Sequence, residues 1–347
     1  MTNVGCNVFG LVGLGPAGCI FLGCLPPEKL AQVIVFESGC IGGDLARHWG
    51  SVLANIPRSI IEPALRSVPA WKDARMELLE RYGSNECPQL ADAAQQIRAL
   101  VTPLLTAVTL RSTHVTRVQQ EHAGWSLCAE DGTSYTVAKL ILATGAAPRT
   151  MDIPKAHIPL EIALSEVRLR EYLGSDACRK RFVVFGTSHS GTLILRNLRA
   201  VGCAGNHVTA VFKSPRPFYL ARDGHTEGLK AESAEIADAI RRGDWGAATP
   251  QLVSAENMEA LLRAVLEADY CVYATGFRVR VPPMFDMRGA PLAAKHDPVT
   301  GAIAPGVWGF GIGFPSQYKT NLGTLAADVG FAAFAAHIQA NLAAILT

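Results

Sequence analysis

The sequence predicts an α/β protein of two three-layer domains. Two observations point there. Two apolar runs, Asn7-Val8-Phe9-Gly10-Leu11-Val12 and Phe182-Val183-Val184-Phe185, each end in a glycine-rich turn and enter a helix-like segment. Two further runs, Leu140-Ile141-Leu142 and Tyr270-Cys271-Val272-Tyr273, each stop at Ala-Thr-Gly. The order is turn, Ala-Thr-Gly, turn, Ala-Thr-Gly, so one strand–turn–helix device is used twice. At 347 residues the chain is long enough for two cores of ordinary size.

The first turn reads Gly13-Leu14-Gly15-Pro16-Ala17-Gly18, a GxGxxG pattern. In such a turn the first glycine permits a tight bend, and the second lets backbone amides approach a pyrophosphate. The third lets helix and strand pack closely, and the helix N-terminus then faces the phosphates. The pattern alone is weak, but the following strand, Val33-Ile34-Val35-Phe36, ends in Glu37. That is where a carboxylate would accept ribose hydroxyls. Gly42-Gly43-Asp44 and Trp49 come next; paired glycines suit either backbone lying flat on a ligand or a plain surface turn.

The second turn reads Gly186-Thr187-Ser188-His189-Ser190-Gly191, with serine in place of the second glycine. Leu193, Ile194, Leu195 and Leu198 give the next helix one apolar face. The following strand, Val208 to Phe212, ends in Lys213, with Arg216 close behind. Positive charge there suits the 2′-phosphate of NADP, whereas NAD would call for an acid; the alternative is two cations on an exposed loop. Ala143-Thr144-Gly145 and Ala274-Thr275-Gly276 are small residues over which backbone can pass a cofactor.

Composition removes several function classes. The formal net charge is +2 with no basic run, which gives no support to nucleic-acid or anionic-membrane binding. Nine cysteines lie singly with no CxxC pair, as expected of reduced thiols in a cytoplasmic protein, and no metal set stands out. The apolar N-terminus lacks a basic leader, and the Ala-rich stretch from Leu325 to Leu346 carries Asp328, His337, Gln339 and Asn341. It is expected to be a packed helix and not a membrane span.

The order of glycine turn, acid, Ala-Thr-Gly, second turn and second Ala-Thr-Gly resembles the two-dinucleotide-binding-domain flavoproteins. These include thioredoxin reductase, the glutathione reductase group and the flavin-containing monooxygenases. The resemblance covers nearly the whole chain and implies two Rossmann-like domains. FAD would occupy residues 1–153 with 268–347, and NADPH an inserted domain of residues 154–267. FAD contacts are then expected from Gly13, Gly15, Pro16, Ala17, Gly18, Glu37, Ser38, Gly42, Gly43, Asp44, Trp49, Val115, Ala143, Thr144, Gly145, Gly311, Ile312 and Thr324. NADPH contacts are expected from Gly186, Ser188, His189, Ser190, Gly191, Lys213, Arg216, Ala274, Thr275 and Gly276.

The branch follows from further residues. Cys40 lies near where the glutathione reductase group places its redox pair, yet has no neighbouring thiol, and Cys19 and Cys24 fall on different faces of the first helix. A thiol–disulfide relay between neighbouring cysteines is thereby excluded. The strand Val307 to Phe314 lacks the Gly-Asp of disulfide reductases, and the helix expected from about Leu322-Gly323-Thr324 would place amides near the flavin. Asp269 with Tyr273-Ala274-Thr275-Gly276-Phe277 is similar to an element of N-hydroxylating monooxygenases. Against that branch, Met151 and Ile153 stand where the FxGxxxHxxxF/Y fingerprint of flavin monooxygenases, aligned on His157, has Phe and Gly, and the chain is short.

The expected activity is NADPH-dependent monooxygenation of a small molecule with molecular oxygen, through a peroxyflavin. A flavin oxidase or reductase is the alternative enzyme, and a non-catalytic FAD- and NADPH-binding redox sensor the alternative outside catalysis. His189, Asp44, Lys319 and Asn321 are candidate catalytic residues by position, and Trp71, Met76 and Tyr82 form either a wall of the substrate site or a connecting helix. A homodimer is left open by the resemblance.

Overall fold

A computed structural model of the protein describes residues 8–213, 217–218, 229, 232–319 and 325–347. Two compact units emerge, one of Met1–Ala147 with Val279–Thr347 and one of Pro148–Arg278. The divisions at 147/148 and 278/279 differ from the expected 153/154 and 267/268. The second lies later because the strand Tyr270–Tyr273 pairs inside the inserted unit.

In chain order the outer unit begins with β1 (Phe9–Val12), α1 (Pro16–Cys24), α2 (Pro27–Leu30), β2 (Val33–Phe36), α3 (Gly43–Arg47), α4 (Arg58–Arg66) and α5 (Leu90–Val101). It continues through β3 (Thr109–Arg111), β4 (Val115–Glu121), β5 (Gly124–Ala129), β6 (Ser134–Val137), β7 (Lys139–Leu142) and β8 (Ala146–Pro148). The inserted unit holds β9 (Ala156–Ile158), α6 (Leu160–Ala163), α7 (Glu166–Leu173), β10 (Phe182–Phe185), α8 (His189–Ala200) and β11 (Val208–Phe212). It ends with α9 (Glu232–Arg242), β12 (Gln251–Ser254), α10 (Met258–Glu267) and β13 (Tyr270–Tyr273). The chain returns through β14 (Phe277–Val279), β15 (Met284–Phe285), β16 (Pro291–Leu292), β17 (Ala302–Ala304), β18 (Val307–Gly309), β19 (Ser316–Lys319), β20 (Leu325–Asp328) and α11 (Phe331–Leu346).

The main sheet of the outer unit runs β17-β18-β7-β1-β2-β3, parallel except at the β17 edge. Every residue of β1 and β2 is buried, as a parallel strand covered on both faces requires. Alternate side chains serve alternate layers. Phe9, Leu11, Val33, Val35 and Ile141 join one core with residues of α1, α4, α5 and α11. Val12, Ile34, Phe36, Leu140 and Leu142 join another with Val118, Trp125 and Leu127 of the sheet β16-β15-β4-β5-β6. Three layers result: helices, parallel sheet and mixed sheet.

The inserted unit repeats the plan with a wholly parallel sheet, β12-β11-β10-β13-β9. Both central strands are apolar, and α8 buries Ile194, Leu195 and Leu198 as their spacing predicts. The tail departs from expectation. Leu325–Asp328 is not helical but pairs antiparallel with Ser316–Lys319, and α11 starts only after Gly330, whose φ of +137° no helical residue adopts. Among the described residues no helix is long and apolar enough to cross a membrane.

Candidate functional site

The first glycine turn is closed at two points and open at one. Gly13 has φ +99°, and a Cβ there would meet the Ala143 carbonyl oxygen at 2.5 Å. A Cβ on Gly18 would lie 2.0 Å from the Gly13 carbonyl oxygen. Nothing lies within 4 Å of the Cβ direction of Gly15. Gly15 is also the N-cap of α1, with no side chain bonded at the cap, Pro16 behind it and no acid in the first turn. The first-turn amides of α1 have no intrahelical partners and form the positive end of its dipole.

Neighbouring segments fix this turn. The Gly13 amide donates to the Phe36 carbonyl at 2.8 Å, and the Ala143 amide to the Val12 carbonyl at 2.9 Å. The Glu37 carboxylate accepts from the Leu14 and Gly39 amides, both at 2.6 Å. A carboxylate has about four acceptor sites, so each oxygen keeps capacity for another donor. The Gly42 amide donates to the Leu14 carbonyl at 2.8 Å, and a Cβ on Gly43 would stand 2.9 Å from the Gly15 Cα. Paired glycines at 42 and 43 therefore let backbone lie against backbone.

Asp44 opens α3 and divides its oxygens between two partners. Oδ1 lies 3.8 Å from His48 Nε2, and Oδ2 accepts from the Arg280 guanidinium. Arg280 belongs to the same unit and is tied to the Ala-Thr-Gly turn as well. Its amide donates to the Gly145 carbonyl at 3.1 Å, and its carbonyl accepts from the Thr144 hydroxyl. The loop after β18 completes the surround. A Cβ on Gly311 would lie 2.7 Å from the Ala17 Cβ, and one on Gly313 would lie 2.5 Å from the Gly145 carbonyl oxygen.

Other expected contacts in this unit fall at varied depth. Ser38 is exposed, Trp49 is half-buried with its amide donating to the Asp44 carbonyl, and Ile312 stands exposed at the tip of its loop. The Val115 side chain is 2% exposed and packs in the core beneath the sheet, not on the turn.

The second turn repeats the first nearly atom for atom. A Cβ on Gly186, at φ +103°, would meet the Ala274 carbonyl oxygen at 2.4 Å, and one on Gly191 would lie 1.9 Å from the Gly186 carbonyl oxygen. The Gly186 amide donates to the Val211 carbonyl and the Ala274 amide to the Phe185 carbonyl, both at 2.8 Å. Ser188 takes the place of Gly15 as N-cap of α8, again with no side-chain cap bond and no acid in the first turn. Its side chain is exposed.

His189 and Ser190 follow in the first turn of α8, and His189 Nδ1 lies 2.7 Å from the hydroxyl of Ser233, a fully buried residue of α9. The Thr275 hydroxyl donates to the Arg149 carbonyl at 3.2 Å, and Gly276 has φ +87°. Lys213 is exposed directly after β11; Arg216 lies outside the described residues.

One substrate-side expectation needs correction. Trp71 and Met76 are 1% and 0% exposed inside the helical core, so neither lines a site, and the Tyr82 hydroxyl is bonded to Asp92. Lys319 sits exposed on β19 and not before a helix, while Asn321 and Thr324 lie outside the described residues. A cavity of about 540 Å³ is lined by Arg58, Glu62 and Arg66 of α4, not by the glycine turns. Burial pushes the Glu62 carboxyl up, but its bonds from Arg58 and Arg66 outweigh this and hold it below the usual range.

The described thiols are all free. Burial pushes the Cys19 thiol up to about 12 and the Cys24 thiol up to about 11, which leaves both protonated and inert at neutral pH. Cys40 is half-buried and donates weakly to the Gly43 carbonyl at 3.7 Å. Sequence reasoning missed Arg280 and Gly313, which become part of the first site only through contacts with Asp44 and Gly145, far away in the chain.

Comparison with known proteins agrees with this architecture. Monooxygenase AgnR1 of Paecilomyces divaricatus is 23% identical over 95% of both chains. The cadaverine monooxygenase DfoA of Erwinia amylovora, solved with FAD, covers 98% of this chain and 94% of its own at 13% identity and TM-score 0.62. The bacillithiol disulfide reductase Bdr of Staphylococcus aureus covers 97% of each chain at 12% identity and TM-score 0.59. A profile described as "Pyridine nucleotide-disulphide oxidoreductase" matches residues 11–281, which span both glycine turns and both Ala-Thr-Gly strands, and the chain belongs to that family.

Proposed function

We propose that the protein is an FAD-dependent, NADPH-using oxidoreductase, and specifically a monooxygenase of a small molecule. The observation that carries the cofactor reading is the repeated turn. In both units the first and last glycines are closed against backbone, and the cap position between them is open or exposed at an uncapped helix start. That cradle suits a pyrophosphate, whose charge the helix dipole and free amides stabilise. Glu37, at the end of β2, fits the ribose of FAD, and Lys213, at the end of β11, fits the extra phosphate of NADPH.

FAD would supply hydride acceptance and electron transfer to oxygen. The chain's own residues do the rest. Gly13, Gly18, Gly43 and Gly311 hold the turn's shape, Glu37 orients the adenosine end, and the Ala143-Thr144-Gly145 backbone borders the same cradle. In the inserted unit Gly186 and Gly191 shape the NADPH turn. Ser188 offers it a hydroxyl, and Ser233 fixes the ring of His189 beside it. Hydride transfer needs no protein acid or base, so Asp44 and His189 act in this reading through position and charge.

The monooxygenase branch is supported by the spacing of the cysteines, which leaves no neighbouring pair in the sequence to relay electrons, and by the relative named a monooxygenase. Cys40→Ser is expected to leave NADPH-dependent flavin reduction within about threefold, because the thiol's bond to the Gly43 carbonyl is weak. A loss beyond tenfold in single-turnover reduction would restore a thiol mechanism.

The central test is NADPH oxidation in air with hydrogen peroxide yield measured against a panel of small amines, ketones and sulfides. A monooxygenase lowers its peroxide yield as the right substrate is added, with oxygenated product matching the NADPH consumed. Stoichiometric peroxide with every substrate would instead indicate an oxidase. FAD bound without turnover would indicate a sensor.

A further inference from the structure

We infer that Arg280 is a cofactor-binding residue of the first glycine turn, and that Asp44 is the positioning residue that aims it. The inference rests on the reading of that turn as the FAD site. Arg280 is held at three atoms by two separate rims of the cradle. Its amide donates to the Gly145 carbonyl, its carbonyl accepts from the Thr144 hydroxyl, and its guanidinium donates to Asp44. Both rims touch the glycine turn. A Cβ on Gly13 would lie 3.4 Å from the Thr144 nitrogen, and Gly43, beside Asp44, packs on the Gly15 Cα.

The charge balance explains why the pair is needed. Asp44 places a carboxylate, 28% exposed, on the segment that packs against the open glycine of the turn. A dinucleotide brings a doubly charged pyrophosphate to the same turn, and like charges repel. The turn's glycines offer amides but no full positive charge. Arg280 neutralises Asp44 through one nitrogen and keeps further donors of its planar fork for an anionic ligand. Asp44 in turn fixes a long side chain that is 46% exposed and would otherwise lose rotamer freedom on binding.

The geometry therefore assigns Arg280 and Asp44 coupled effects on FAD affinity. The test measures the FAD dissociation constant of the apoprotein by flavin fluorescence for Arg280→Gln, Arg280→Lys, Asp44→Asn and the double variant Asp44→Asn/Arg280→Gln. Arg280→Gln is expected to weaken FAD binding about 10–100-fold, because it removes a cation and leaves the Asp44 carboxylate without its guanidinium partner beside the cofactor. Arg280→Lys keeps the charge but loses the planar fork, and its FAD affinity falls between those of wild type and Arg280→Gln. The double variant recovers at least about tenfold over Arg280→Gln alone.

The melting temperature of each apoprotein variant, unchanged within about 3 °C, separates loss of a cofactor contact from misfolding of the outer unit. Wild-type affinity in Arg280→Gln, or a double variant weaker than either single one, overturns the inference. Failure of the wild-type apoprotein to take up FAD overturns the FAD reading itself, and the inference with it, and is distinguishable because no variant is involved.

Discussion

Gly18→Ala is expected to yield protein that does not retain FAD and melts roughly 6–12 °C lower than wild type. The added Cβ would stand 2.0 Å from the Gly13 carbonyl oxygen, so α1 must move off β1 or the turn must open. Overpacking against backbone costs about 3 kcal/mol, and a unit of this size loses roughly 2–4 °C per kcal/mol. Gly15→Ala isolates the ligand's share of that effect. Its Cβ meets nothing within 4 Å, so the melting temperature of the apoprotein should fall by no more than about 3 °C. FAD affinity should still drop about 100-fold, since the methyl group occupies the space where a pyrophosphate must approach the amides. Thermal melts with and without added FAD separate the two variants. Unchanged FAD binding by Gly15→Ala would remove the first turn as the flavin site.

Gly191→Val is expected to produce the opposite pattern: a yellow protein that NADPH no longer bleaches. In the inserted unit the Cβ of residue 191 would fall 1.9 Å from the Gly186 carbonyl oxygen, and valine adds two methyl groups to that clash. The distortion lies within Pro148–Arg278, so the FAD-binding turn keeps its own sheet and its own contacts. Rapid mixing of anaerobic protein with NADPH should show flavin reduction slowed more than about 100-fold, the loss expected when positioning of a reacting group fails. Dithionite, which needs no binding site, should still reduce the flavin fully. Reduction by NADPH within tenfold of wild type would mean that the second turn is not where the nicotinamide cofactor sits.

Both variants concern features that were readable directly from the amino-acid order, for a physical reason. A strand, a tight turn and the first turn of a helix lie within about ten residues, and the turn's geometry demands glycine at named positions. The alternation of two such devices with two Ala-Thr-Gly strands then implied the layered sheets. What was not readable depended on partners distant in the chain. Asp44 stood out beside its paired glycines, but Arg280, which meets it across 236 positions, belongs to no local pattern. Leu325-Ala326-Ala327-Asp328 has helix-forming composition, yet pairing with Ser316–Lys319 overrides that preference, as tertiary context commonly does. Trp71 and Met76 lie between the second strand and the next long helix, a place that suited either a substrate wall or a connecting helix, and they proved to be core.

The nesting of one unit inside the other has a consequence for synthesis. All five strands of the inserted sheet lie between Ala156 and Tyr273, so that unit is complete once Arg278 has emerged from the ribosome. The outer unit at that moment has β1, β2, β3 and β7 but lacks β18, which pairs with the free side of β7, and lacks α11, which packs on α1 and α4. Its unfinished edge and bare helical face wait for the last part of the chain. The inner unit can therefore mature first, as contiguous domains do during translation, while the outer one remains open to chaperones until its final helix arrives. A chain halted shortly after Arg278 would carry a finished nucleotide-binding core on an unfinished one.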